Sequence, residues 1–337
     1  MQSARWSRSW SVLWFAVAVG CGGGGAGEAE PSAAETSGGE ATAIAAAPSG
    51  PPLSFLPQGT KVVARLDMAR VRRSPIASDI SSAIRATETW QRLAGTSGID
   101  PVQDFDAMLV GGDALYTDRR VVVIRHPRTE AEVRQRILAM AIDRGAAPEW
   151  REVFGLPAVP WPMPRSSVSY SLVITAPNEL VLAPDDDLER IAAVARDHAA
   201  RRPARSTAAI EPQLAAMRAA EIATIVLDVP PPARAGYPEP PQHTLVEVDE
   251  SAAGDAVIAI HSEFESEAQA SAAHAWLRQQ VQFYSGQMMV RAIGMNRPLE
   301  EARFALDGTR LALGTHLTPD ELRRLLGMLA LSQLASN

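Results

Sequence analysis

The chain has one cysteine and one lysine in 337 residues, and each scarcity excludes something. A lone cysteine, Cys21, cannot make a disulfide within one chain, so no disulfide framework staples the fold. Of 32 basic residues Lys61 is the only lysine, leaving 31 arginines, a bias that reads as codon composition and not as function. Positive charge is short overall. The net charge is -7, and it becomes -9 once residues 1 to 20 and their two arginines, Arg5 and Arg8, are removed. A nucleic-acid binder needs the opposite sign, so nucleic acid is not an expected partner. The regular chemical signatures are also missing: there is no G-x-S-x-G, no H-E-x-x-H, no C-x-x-C and no G-x-x-x-x-G-K. The single G-x-G-x-x-G match, at Gly20, Gly22 and Gly25, has neither a strand before it nor a helix after it and is noise. No cofactor is expected.

What is present begins at the N-terminus. Arg5 and Arg8 precede an eight-residue apolar run, Val12 to Val19, that ends at Gly20 and Cys21. Such a run is too short to span a bilayer, which takes about 20 residues, and it has the make-up of a secretory signal. The quartet Ala18, Val19, Gly20 and Cys21 resembles the lipobox of bacterial lipoproteins, with Ala18 standing where leucine is usual. The resemblance covers roughly the first 25 residues. It implies cleavage before Cys21, palmitate-type lipid on that cysteine, and a periplasm-facing protein of the bacterial cell envelope. The outer membrane is expected in preference to the inner.

Residues 22 to 52 hold eight Gly, nine Ala, four Pro, four Glu, three Ser and two Thr among 31 positions, with Ile44 the only large apolar side chain. Burial cannot repay the ordering entropy of such a segment, so it reads as a disordered linker with a coil span of about 30 Å. The globular body, residues 53 to 337, is expected to be α+β and to hold an internal repeat. Its two halves, 53 to 205 and 206 to 337, should be of mostly antiparallel strands with helices packed on one face.

Each half opens with an apolar strand ending in Asp, Val62 to Asp67 and Ala223 to Asp228. Each then has a strand leading into a capped helix, Val121 to Arg125 before Thr129 and Ala256 to Ile260 before Ser266. Thr129 with Glu132, and Ser266 with Gln269, have capping-box spacing. Each half closes on a strand, a turn, a strand and a helix. In the first these are Val168 to Thr175, Glu179 to Ala183 and Asp185 to Ala199; in the second, Ala302 to Leu306, Arg310 to Gly314 and Thr318 to Leu334. The turns of three and two residues require hairpins. From Thr129 to Leu188 is 59 positions and from Ser266 to Leu322 is 56, so the Thr129 helix should overlie the Ser266 helix and the Asp185 helix the Thr318 helix.

Polar candidates are sparse. His261, Glu263 and Glu265 alternate opposite Ile258, Ile260 and Phe264 and could form a polar site, although a half-solvated strand has the same pattern. Asp185, Asp186 and Asp187 fit a helix start, where carboxylates complement the positive end of the dipole. Asp100, Asp104 and Asp106 lack the spacing and glycine of a calcium loop, so no metal is expected there. The proline-rich stretches Leu156 to Arg165 and Val229 to Gln242 read as surface loops. Charge is uneven: about +2 over 53 to 205, about -7 over 206 to 337, and seven acids with no Lys or Arg over 247 to 267.

The resulting expectation is a membrane-anchored envelope lipoprotein with a non-enzymatic binding or structural role and a partner that the sequence does not specify. One alternative is a carrier of lipid or another apolar ligand, which would need an apolar pocket. Another is a hydrolase with a non-local catalytic site.

Overall fold

The computed structural model describes residues 52–75, 77–86, 99–114, 119–143, 149–161, 163, 167–200, 222–228, 240–251 and 253–334. The signal segment, Cys21, the linker through residue 51 and most of the Val229 to Gln242 loop lie outside the described residues.

In chain order the elements are β1 (Val62–Asp67), α1 (Met68–Val71), α2 (Ala77–Ala86), α3 (Pro101–Asp104), β2 (Ala107–Gly112), β3 (Arg120–Arg125) and α4 (Glu130–Asp143). Then come β4 (Arg151–Val153), β5 (Leu156–Trp161), β6 (Tyr170–Ala176), β7 (Glu179–Pro184) and α5 (Leu188–Ala199). The second half has β8 (Ala223–Leu227), β9 (His243–Glu250), β10 (Ala256–Glu263), α6 (Glu267–Ser285), α7 (Met288–Ala292), α8 (Asn296–Glu300), β11 (Arg303–Asp307), β12 (Arg310–Leu317) and α9 (Pro319–Leu334).

The strands join into one 12-stranded sheet, ordered β11-β12-β10-β9-β8-β1-β2-β3-β7-β6-β5-β4, with every neighbouring pair antiparallel. The chain is therefore α+β. From the middle outward, the first half runs β1-β2-β3-β7-β6 and the second runs β8-β9-β10-β12-β11, the same order. The halves meet where β1 pairs with β8, from Val62 opposite Leu227 to Leu66 opposite Ala223. The first half alone adds β5 and β4 at its outer edge. Both expected hairpins are present, β6 with β7 and β11 with β12.

Alternation along the strands defines two faces. On the first face Ile124, Leu172, Leu180, Leu182, Ile225, Val246, Ile258 and Leu317 form one core with Ile80 and Ile84 of α2, Val133, Ile137 and Met140 of α4, and Leu322, Leu325 and Leu326 of α9. On the second face Val63, Leu109, Val121, Val123, Val173, Val181 and Ala183 pack against Leu188, Ile191 and Ala195 of α5 and against Phe55 and Leu56. Further out on the first face, Ala270 and Ala273 of α6 cover Leu311. Each fully buried Leu, Ile or Phe contributes about 1.5–3 kcal/mol by leaving water.

One helix departs from the one-face arrangement. α4 and α6 share the first face, but α5 lies on the second face while its expected counterpart α9 lies on the first. The reason is in the strands. β7 reads Glu179-Leu-Val-Leu-Ala-Pro184 and is buried along its whole length, so both of its sides need a cover. β12 carries Leu311, Leu313 and Leu317 on one side and Ala312, Gly314 and His316 on the other, and needs a helix on one side only. The halves thus share five strands in one order and the first long helix, but their last helices lie on opposite faces, so the expected superposition of the Asp185 helix on the Thr318 helix fails and the internal repeat in the form expected is overturned.

At the start of the short α3 the Asp100 carboxylate accepts from the amides of Val102 and Gln103. One local reading also changes. The Leu156 to Trp161 part of the first proline-rich stretch is strand β5, paired with β4 and β6. It tolerates Pro157 and Pro160 because β4 is only three residues long, which leaves β5 close to an edge.

Candidate functional site

The first face encloses a cavity of about 70 Å³ between α4 and the outer strands of the first half. Its floor is Val122 and Ile124 of β3, Leu180 and Leu182 of β7, Leu172 of β6 and Trp161 of β5. Val133, Ile137 and Met140 form its roof because spacings of four and three place them along one side of α4. The helix is held at its start by the expected capping box: the Thr129 amide donates to Glu132 Oε2 at 2.9 Å, and the Glu132 amide returns to Thr129 Oγ1 at 3.4 Å. A cavity holds a water from roughly 10–15 Å³, and an engineered apolar cavity of about 150 Å³ admits benzene. At about half that volume, the space beneath α4 has room for a fragment of only a few carbons.

Charged groups gather at one side of this cavity. Asp104, buried, accepts from Arg128 Nε at 3.0 Å and Arg136 Nη1 at 3.3 Å, and from the Asp100 amide at 2.8 Å. Burial alone would raise the Asp104 pKa, but the Arg128 hydrogen bond, the Asp100 amide and the two guanidinium charges outweigh it and hold the carboxyl below its ordinary value. Two arginines share this carboxylate, and the exposed Glu132 lies within electrostatic reach of both, so the charges of the cluster nearly balance. His126 also lines the cavity at 3% exposure, and neither ring nitrogen makes a well-formed hydrogen bond. Burial pushes its pKa down, which the Arg128 backbone carbonyl and the Asp106 charge partly offset.

Of the three polar candidates from the sequence, His261 and Glu263 do share a side of β10, the second face. Glu265 lies beyond the strand in the turn before α6. His261 Nε2 is 3.2 Å from Glu247 Oε2 on β9, and Glu263 stands in register with His243, whose Nδ1 is 2.5 Å from Asp228 Oδ1. These are pairwise contacts along a half-solvated strand face. No group of His, Cys, Asp and Glu that could hold a metal ion occurs among the described residues. Asp185, Asp186 and Asp187 form a 3-10 turn running into α5, as a helix start should, with Asp185 accepting from Ser171 Oγ at 2.7 Å. Asp106 pairs with Arg72 at 2.9 Å.

One serine–histidine contact is present: Ser54 Oγ and His198 Nε2 are 2.9 Å apart. His198 also packs edge-on against Phe55, and no carboxylate partner for it occurs among the described residues. This pair joins the Leu53–Phe55 turn to α5, as does Arg190, which donates from Nη1 to the Phe55 carbonyl at 2.8 Å.

The residues that sequence reading missed as a group are His126, Arg128, Arg136 and Trp161. His126 and Arg128 share the short connection between β3 and α4, Arg136 lies on α4 and Trp161 on β5, and no motif spacing links the four.

No family model matches the chain, and no curated protein matches it. A solved structure described as "Structure of crystal form I of TP0453" is similar at a TM-score of 0.45 and 12% identity, covering 83% of this chain and 98% of that one. A likeness of that degree carries no argument about what this chain binds.

Proposed function

We propose that the chain is an envelope lipoprotein, anchored through lipid on Cys21 and standing off an outer membrane on the 22 to 52 linker, with a non-enzymatic binding role. The lipobox-like Ala18 to Cys21 quartet and the placement of the only cysteine support the anchor. The observation that favours the carrier version of this role, in which the ligand is a lipid or another apolar molecule, is the cavity beneath α4 and its hydrocarbon walls. An apolar group lodged there would bury apolar surface at about 25 cal/mol per Å².

Native mass spectrometry of the membrane-extracted protein tests this. The expected result is an apolar ligand retained by the natural chain and lost from Val133→Phe, which fills the cavity from its roof. Equal retention by both chains, or none by either, would overturn the carrier reading. For the anchor, Cys21→Ser should abolish acyl labelling and release the protein from membranes; retention without label would sink it.

A further inference from the structure

The corner between α6 and α7 carries four large apolar side chains that the fold leaves outside. Met288 is 85% exposed, Met289 77%, Phe283 58% and Tyr284 49%. They are neighbours by construction. Phe283 and Tyr284 end α6, with ring centroids 5.3 Å apart, and Met288 and Met289 open α7 one tight turn later. The turn is built firmly, with the Gln287 amide donating to the Tyr284 carbonyl at 3.0 Å, Arg291 Nε to the Ser285 carbonyl at 3.3 Å and the Arg291 amide to the Gln287 carbonyl at 3.1 Å. Val290 and Ile293 pack against the main core and so turn the two methionines outward. Elsewhere on the described surface the exposed large apolar residues are single: Phe154, Val257 and Leu306.

Charge sets this corner apart as well. The chain holds 39 acids in 337 residues, yet none falls between Ala268 and Leu299, a stretch that contains Arg278, Arg291 and Arg297. Arg297 is engaged with Glu301 and Glu321, whereas Arg278 and Arg291 are exposed in the same segment as the apolar cluster. A segment of aromatic rings, methionines and arginines that carries no acid of its own, on an otherwise acidic protein, has the make-up of a surface that settles into the interface of an anionic bilayer. No helix among the described residues is long and apolar enough to cross a membrane.

We infer that the Phe283–Tyr284–Met288–Met289 corner is a membrane-docking surface, by which the body lies down on an anionic lipid bilayer. This rests on the anchor reading of Cys21. A linker of 31 residues has a coil span of about 30 Å, and a body of this length has a radius of about 19 Å. Any side of the body can then reach the lipid, and tethering raises the effective concentration into the millimolar range, so a weak surface suffices. A second copy of the chain is a poorer occupant, because four side chains fall well short of the ~800 Å² per partner of a stable protein interface.

The test uses the processed chain, residues 21–337, with Cys21→Ser, so that no acyl chain contributes, and vesicles of phosphatidylcholine with phosphatidylglycerol. It is compared with the same chain bearing Phe283→Ser, Met288→Ser and Met289→Ser, exposed changes that should leave thermal unfolding unaltered. The expected result is co-flotation that falls at least about tenfold in the triple variant. Slowed amide exchange over residues 283–292 should appear only with vesicles and the intact corner. Equal flotation of both chains, or none by either, overturns the inference. So does a triple variant that loses self-association in sedimentation while vesicle binding is unchanged. Failure of the anchor would instead show as absent acyl labelling of the natural chain, which this flotation does not read.

Discussion

Replacing Asp104 by Asn separates charge from shape at the side of the cavity. Asp104 is the buried carboxylate between Arg128 and Arg136, its side chain 8% exposed, while the exposed Glu132 lies near both arginines. Asn keeps the volume and one acceptor oxygen, but its NH₂ group would face guanidinium donors, and both arginines would lose their hydrogen-bonded counter-charge. Breaking a buried pair costs about 3–5 kcal/mol. Here the arginine side chains are 29% and 39% exposed, so water screens part of the loss, and we expect about 2 kcal/mol. For a chain of this size that corresponds to a fall in Tm of roughly 3 °C. The assay is urea unfolding followed by far-ultraviolet circular dichroism at a series of pH values. The Asp104 pKa is depressed in the folded state, so its contribution is fully present above the unfolded carboxylate value of about 3.9 and is lost as pH falls through the folded value. The two chains should therefore differ at pH 7 and converge in acid. A difference under about 0.5 kcal/mol at pH 7, or one that persists unchanged to pH 2, would refute the charge argument.

Two further outcomes follow from the geometry. At Gly111 an added Cβ would sit 2.5 Å from Cδ2 of Leu56, which is fully buried and cannot swing away; Gly111→Ala should cost about 1–3 kcal/mol in calorimetry, and an unchanged Tm would show that the 53–56 segment yields freely. His126 is held neutral by burial, so the folded chain should lose stability as pH falls below the unfolded value of about 6.5 towards its lower folded pKa. His126→Leu should flatten the stability profile between pH 5 and 7, and a slope equal to that of the natural chain would place the titrating group elsewhere.

Local chemistry was enough to read several parts of this protein. Thr129 and Glu132 form the capping box that their spacing requires. The short turns at Ala176 to Asn178 and Asp307–Gly308 could close only antiparallel hairpins, and both are present. These features depend on interactions a few residues long, so the amino-acid sequence by itself determines them.

What tertiary structure decided is which surface each element meets. The α5 helix has an apolar stripe that would serve on either face. It lies opposite α9's side because β7 is apolar on both sides and β12 on one. Likewise His126, Asp104, Arg136 and Trp161 are spread over 57 positions of sequence and come together only when α4 lies across β3, β7, β6 and β5. His261 and Glu263 show the converse: their alternation was plain in the sequence, but Glu265 leaves the strand before it can join them. Alternation states which side chains share a side, whereas a cavity depends on the gap between layers, and that gap is set by contacts far apart in the chain.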